Sequence, residues 1–217
     1  VYLSQPTAGQ LAALTAFAGR GGKLIVCYSS SPGLAALMGV QTVGYQKGTT
    51  DGRWSSMRFS GARPRGVPDV ILQTSQNLFI VRPVAGRSQV LAWWHDRQGR
   101  QTEEAAWLVS PSGYWMTHVL LADGDAEAKG RLLLALAAAN DSSLWRPAAA
   151  RVLQEARKIG NGSGAAGLVA LSGQVVGEGR RSRAAAAAQG AFQSERAAAQ
   201  LLSAGKGYEA WLAAQEL

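Results

Sequence analysis

Lys23-Leu24-Ile25-Val26-Cys27-Tyr28 is a continuous apolar run between the turn residues Gly21-Gly22 and Ser29-Ser30-Ser31-Pro32. An apolar run without alternation is how a strand buried on both faces reads, as in a parallel sheet. Upstream, Pro6 and Thr7 open a helix with Leu11, Leu14, Phe17 and Ala18 at helical spacing, and Gly19, Gly21 and Gly22 end it. Val1-Tyr2-Leu3 reads as the tail of an earlier strand. Downstream, a short helix from Leu34 to Met38 stops at Gly39. Strand end, helix, glycine turn and buried strand together are α/β grammar.

Beyond Val40 the texture changes. Short strand candidates follow one another: Thr42–Gln46, Trp54–Phe59, Val70–Leu72, Leu78–Val81, Val90–Trp94 and Ala105–Val109. Turn clusters separate them, and none of the intervening segments is a long helix. They read as antiparallel strands added to an α/β sheet. Tyr114–Leu121 is a further apolar stretch. Asp123 and Asp125 then cap a helix from Ala126 to Ala139, with acidic residues where the helix dipole favours them. The expectation is a mainly parallel sheet with Lys23–Tyr28 near its middle, flanked by helices over 7–18 and 126–139.

The last third is alanine-rich. A helix spans Arg146 to Ile159, Gly160-Asn161-Gly162-Ser163-Gly164 reads as a flexible break, and a long helix covers Arg180 to Ala204. Gly205-Lys206-Gly207 turns the chain into a final helix, Tyr208–Leu217. Its expected apolar stripe is Phe192, Leu201, Leu202, Trp211 and Leu212. Every tryptophan but Trp211 lies at or before Trp145, so the change in texture sets two expected domains, an α/β domain at 1–145 and a helical connector at 146–217.

Composition narrows the function classes. With 217 residues and 47% hydrophobic residues the chain can build a sizeable core and is not wholly disordered. No apolar run reaches the length of a membrane span. The single cysteine, Cys27, excludes an internal disulfide and a cysteine-based zinc site, and His95 and His118 leave little for a nitrogen-liganded metal. No cofactor is expected. The net charge of +8 is spread along the chain, with only Arg63–Arg65 and Arg180–Arg181–Arg183 as short clusters. Nucleic acid is therefore not the expected partner, and a non-specific nucleic-acid binder is a third-rank reading. The chain begins at Val1, which reads as a processed product or a fragment.

Catalytic motifs fail one by one. Gly162-Ser163-Gly164-Ala165-Ala166-Gly167 matches G-x-G-x-x-G, but a helix precedes it where the dinucleotide fingerprint needs a strand. Gly205-Lys206-Gly207 has no Ser or Thr after its lysine. Cys27 ends an apolar strand, where an α/β nucleophile would stand. A nucleophile elbow needs small residues on both sides, and Ile25 and Ser29 stand at those places. No carboxylate pair suits glycoside hydrolysis, since Asp123 and Asp125 read as helix-start residues. Ligands of open α/β sheets bind beyond the carboxyl ends of strands. Here that points to Tyr28, Ser29, Ser30 and Ser31 after the first strand, Trp94, His95 and Asp96 after the Val90 strand, and Ser110 after the Ala105 strand. These offer hydroxyls, an imidazole and an aromatic face suited to a neutral polyol, without an acid–base pair for catalysis.

Three stretches carry a family resemblance: Leu11 to Val40, Gly113 to Leu121 with Lys129 and Leu132–Leu136, and Ala198 to Gln215. Together they resemble the glutamine-amidotransferase-like domains found beside glycoside hydrolases, such as the trimerisation domain of some beta-galactosidases. They are also similar to the region preceding the barrel in bacterial family-10-like glycosyl-hydrolase-like proteins. The resemblance implies a flavodoxin-like sheet without working amidotransferase chemistry, and a helical connector to a barrel elsewhere. The expected function is a non-catalytic accessory domain of a secreted or periplasmic carbohydrate-active protein, serving assembly, domain positioning or sugar binding. Expected partners are carbohydrate, a hydrolase barrel of the same polypeptide, or a second copy of the chain. The enzyme alternative is a degenerate amidohydrolase or sugar-processing enzyme using Cys27 or His95.

Overall fold

A computed structural model describes residues 5–48, 50, 52–61, 63–122 and 124–217, the side chain of Asn161 excepted. The expected strand tail at Val1–Leu3 and the capping role of Asp123 fall outside the described residues. The chain divides into two compact units, Val1–Leu136 and Ala137–Leu217.

The first unit begins with α1 (Ala8–Gly19), β1 (Leu24–Cys27), α2 (Pro32–Leu37), β2 (Val40–Lys47) and β3 (Trp54–Phe59). There follow β4 (Val70–Ser75), β5 (Asn77–Pro83), β6 (Gln89–His95), β7 (Gln101–Ser110), β8 (Gly113–Met116) and α3 (Ala126–Ala138). Thr7 starts α1 through a capping box with Gln10. Six strands form one curled half-barrel sheet in the order β1-β8-β7-β6-β3-β4, while β2 and β5 pair as a separate ribbon.

This topology corrects the expected flavodoxin-like, mainly parallel sheet. Among the described residues only β1 and β8 pair in parallel, and the other pairs are antiparallel. The reason lies in the connections. A parallel pair needs a crossover of a dozen or more residues, whereas a two-residue loop such as Pro111-Ser112 can only return the chain antiparallel. The segments read as additions are the sheet itself. Among the described residues the Leu24–Cys27 strand stands at the end of the strand order beside β8, not in the middle. Its apolar run still has a physical cause. Leu24 and Val26 pack into a cluster with Leu34, Ala35, Met38, Val40, Val81 and Trp115, supported by Leu11 and Leu14 of α1. A strand covered by helices and a ribbon reads as buried wherever it stands in the strand order.

On the sheet's other side, register places Met57, Ile71 and Trp94 in one row across β3, β4 and β6, and Trp107 beside Met116 across β7 and β8. All five are fully buried. Below them Glu104, itself buried, accepts hydrogen bonds from Arg53 Nη2 and, at 3.1 Å, from Trp54 Nε1.

The second unit contains a 3-10 turn (Ser142–Leu144), α4 (Trp145–Ala156), α5 (Ile159–Gly162), α6 (Gly164–Ser172), α7 (Glu178–Ser203) and α8 (Gly207–Ala214). Trp145 packs against Tyr208 and Trp211 with ring centroids 4.8 and 4.9 Å apart. Leu153, Ala198 and Ala214 form a second contact of α4, α7 and α8. Gly205, at φ +76°, ends α7, and Lys206 N–H closes on the Leu201 carbonyl at 2.9 Å, which folds α8 back along α7. Leu212 is exposed instead of joining the expected stripe. The expected break at 160–164 is a packed helical crossing. A Cβ at Gly167 would lie 1.9 Å from the Gly160 carbonyl oxygen, so glycine is there for close approach.

Candidate ligand pocket at the end of the first strand

β1 ends at Cys27, and Tyr28 adopts a left-handed backbone at φ +51° while its N–H still bonds the Met116 carbonyl at 3.0 Å. A bulky residue there is costly, by roughly 1–2 kcal/mol, and persists only where its surroundings hold it. They do so here. The Tyr28 ring meets Phe79 at 4.6 Å and the edge of His118 at 5.1 Å, and its hydroxyl donates to Asn77 Oδ1. Burial, and secondarily the nearby Tyr45, pushes the Tyr28 phenol upward, so it stays a neutral donor.

The reversal at Tyr28 delivers three serines to the start of α2. Ser29 is fully buried and its Oγ accepts from Ser31 N–H at 3.2 Å. Ser31 caps α2 by accepting from Leu34 N–H at 3.3 Å, with Pro32 in the first turn. Ser30 Oγ accepts from Gln5 Nε2 at 2.9 Å.

Opposite stands the β2–β5 ribbon. Tyr45 and Phe79 are direct cross-strand partners with rings 5.6 Å apart, and the pairing slips between Thr42 and Gly44. Such a bulge re-aims side chains, as is common beside binding sites. Phe79 N–H donates to the Thr117 carbonyl at 3.0 Å, tying the ribbon to the end of β8. Between the serine turn and the ribbon lies a pocket of about 180 Å³, lined by Ser29, Ser30, Thr42, Val43, Gly44, Tyr45, Phe79 and Ile80. Among the described residues no charged side chain lines it.

Behind the aromatic wall, His118 is buried. Its Nδ1 lies 3.0 Å from the Val119 carbonyl, which can only accept, so the proton sits on Nδ1. Burial lowers the imidazole's basicity against its ordinary value of 6.5, partly offset by that bond. Gln73 donates to the same carbonyl at 2.9 Å and accepts from Leu121 N–H at 2.9 Å, which fixes the loop carrying His118.

The remaining expected site residues lie elsewhere. Trp94 is fully buried, its indole N–H donating to Thr117 Oγ1 at 3.0 Å, and it offers no open face. His95 is buried with Nδ1 3.2 Å from the Trp93 carbonyl. Asp96 closes the β6–β7 hairpin by accepting from the N–H groups of Gln98 and Arg100, both at 2.9 Å. These three share the sheet end with Tyr28, but β1 and β6 are three strand spacings apart, about 14 Å. Ser110 ends the antiparallel β7 and so lies at the opposite end of the sheet, where its Oγ accepts from Ser112 N–H at 3.2 Å. Cys27 is 4% exposed, and among the described residues no group of three or more His, Cys, Asp or Glu side chains could hold a metal.

Sequence reasoning misses Thr42, Tyr45, Asn77, Phe79 and His118 as parts of one place. Gly44 inside a strand pattern is the one signal for the bulge. Nothing local announces that β2 and β5 pair beside Tyr28. No family model matches the chain, and comparison with curated proteins and with solved structures finds no match.

Proposed function

We propose that the first unit is a non-catalytic binding module for a neutral, polyhydroxylated ligand, a sugar residue, acting as an accessory part of a carbohydrate-active protein. One observation carries this reading: the pocket joins the aromatic side chains of Tyr45 and Phe79 to the hydroxyls of Ser30 and Thr42, with no charge among the described residues of its lining. Sugars present apolar C–H faces and hydroxyl edges, and such a lining answers both. Its volume is below the ~300–1,000 Å³ usual for small-molecule sites, which suits one sugar ring rather than an oligosaccharide. The accessory role rests on the sequence resemblance. The described lining residues include no carboxylate pair and no nucleophile beside a base, which favours binding over chemistry.

Calorimetric titration with glucose, galactose, mannose and a uronate tests the proposal. A neutral sugar should bind and the uronate should not. Tyr45→Ala should weaken binding at least tenfold, since Tyr45 is 56% exposed and its loss leaves the core intact. Ser110→Ala, at the other end of the sheet, should change nothing. Absence of binding at millimolar sugar, or indifference to Tyr45→Ala, would overturn it.

A further inference from the structure

Within the second unit, α6 and α7 leave an open groove of about 420 Å³. Leu168, Leu171 and Val175 form one wall, and Ala184, Ala187 and Ala188 the other. The alanines lie on one stripe of α7, and the same stripe continues N-terminally through Arg180 and Arg181. Arg181 Nε donates to the carbonyl of Val175, a wall residue, at 3.1 Å, which holds this guanidinium at the groove's end. Arg183 is exposed one turn further on, and Glu178 is the acidic residue of α7's first turn. Three arginines against one glutamate, at a helix N-terminus whose dipole is itself positive, make this end electropositive. The groove is thus apolar along its floor and cationic at one end.

We propose that this groove docks an amphipathic helix of a partner protein, with an apolar stripe at i, i+3, i+4, i+7 and acidic residues at the end meeting Arg180 and Arg181. Small alanine side chains let a second helix approach closely, and its larger apolar side chains fill the space between α6 and α7. From Arg180 to Ala188 the stripe runs about 12 Å, enough for about two turns of a partner. A concave channel between two helices with charge at one end fits a helix better than a membrane surface, which asks for a convex apolar face with a broad basic border.

A dye-labelled synthetic helix with this leucine spacing and terminal glutamates, titrated with the full chain by fluorescence anisotropy, tests the docking. A second peptide carries lysines in place of the glutamates. The acidic peptide should bind at least tenfold more tightly than the lysine peptide. The double variant Arg180→Gln/Arg181→Gln should lose that preference, whereas Arg151→Gln, an exposed cation on α4, should keep it. Ala187→Gln, at an exposed position, should block the groove and cost at least tenfold, with the helical circular dichroism of the variant unchanged. Equal affinity for both peptides, indifference to Ala187→Gln, or stronger binding to anionic lipid vesicles than to the acidic peptide would overturn the proposal.

Discussion

At the scale of single residues, two backbone positions decide how the first unit closes. Tyr28 accepts a left-handed conformation because ring contacts on two sides and a hydroxyl bond to Asn77 repay its cost. Gly113 has no such alternative. Its φ is +128°, and a Cβ there would lie 2.0 Å from the Leu24 carbonyl oxygen. The parallel pairing of β1 with β8 begins at that contact, with Leu24 opposite Gly113. Gly113→Ala should therefore destabilise the protein by at least ~2 kcal/mol, through strained backbone and a displaced β1. Urea denaturation followed by tryptophan fluorescence measures it, and a midpoint equal to that of the wild type would contradict the tight pairing.

At the scale of elements, the helical unit depends on a few large side chains among many alanines. Alanine favours helix but buries little area, so α7 and α8 need an anchor. Trp211 is that anchor. It is 3% exposed and packs on Trp145 and Tyr208. Trp211→Ala should cost about 3–5 kcal/mol, the scale of deleting a buried aromatic ring. Leu212→Ala, at the neighbouring exposed position, should cost well under 1 kcal/mol. Thermal unfolding followed at the helical circular dichroism band separates the two; equal effects would mean that the hairpin is not held by this aromatic cluster.

At the scale of the whole molecule, two buried ionisable groups give stability the same direction of pH dependence. His118 has a folded-state pKa below its ordinary 6.5 because burial disfavours the cation. The unfolded chain then takes up a proton that the folded chain resists, so stability present above pH 6.5 falls as the pH drops below it. For Glu104, burial opposes the charge, but hydrogen bonds from Trp54, Thr102 and Arg53 and the Arg53 charge outweigh it and lower the pKa below the ordinary 4.5. Stability from this carboxylate is present above pH 4.5 and is lost as the pH falls through the folded value. Urea midpoints should decline first as the pH falls below 6.5 and again as it falls below 4.5. His118→Phe should flatten the first decline and Glu104→Gln the second. An unchanged profile in either variant would show that its group does not carry that window.

Local periodicity, and with it most elements, is legible in the residue order alone. The strand candidates Trp54–Phe59, Val90–Trp94 and Ala105–Val109 all lie within strands of the structure, and α1, α3 and α7 begin and end within a few residues of their expected bounds. Caps, glycine stops and alternation act over a handful of neighbours, so they are visible in one dimension. Strand pairing is set by contacts between distant segments. Leu24–Cys27 looks the same in a mainly parallel sheet and in a mostly antiparallel one, because burial records how much is covered and not by what. Trp94 shows the same limit: as a strand-end aromatic it reads as a rim residue, yet the curl of the sheet and Thr117 enclose it. The pocket beside Tyr28 was half legible, through the serine turn. Its other half, Tyr45 and Phe79, arrives through a ribbon whose pairing depends on contacts distant in sequence, and such contacts leave no local trace.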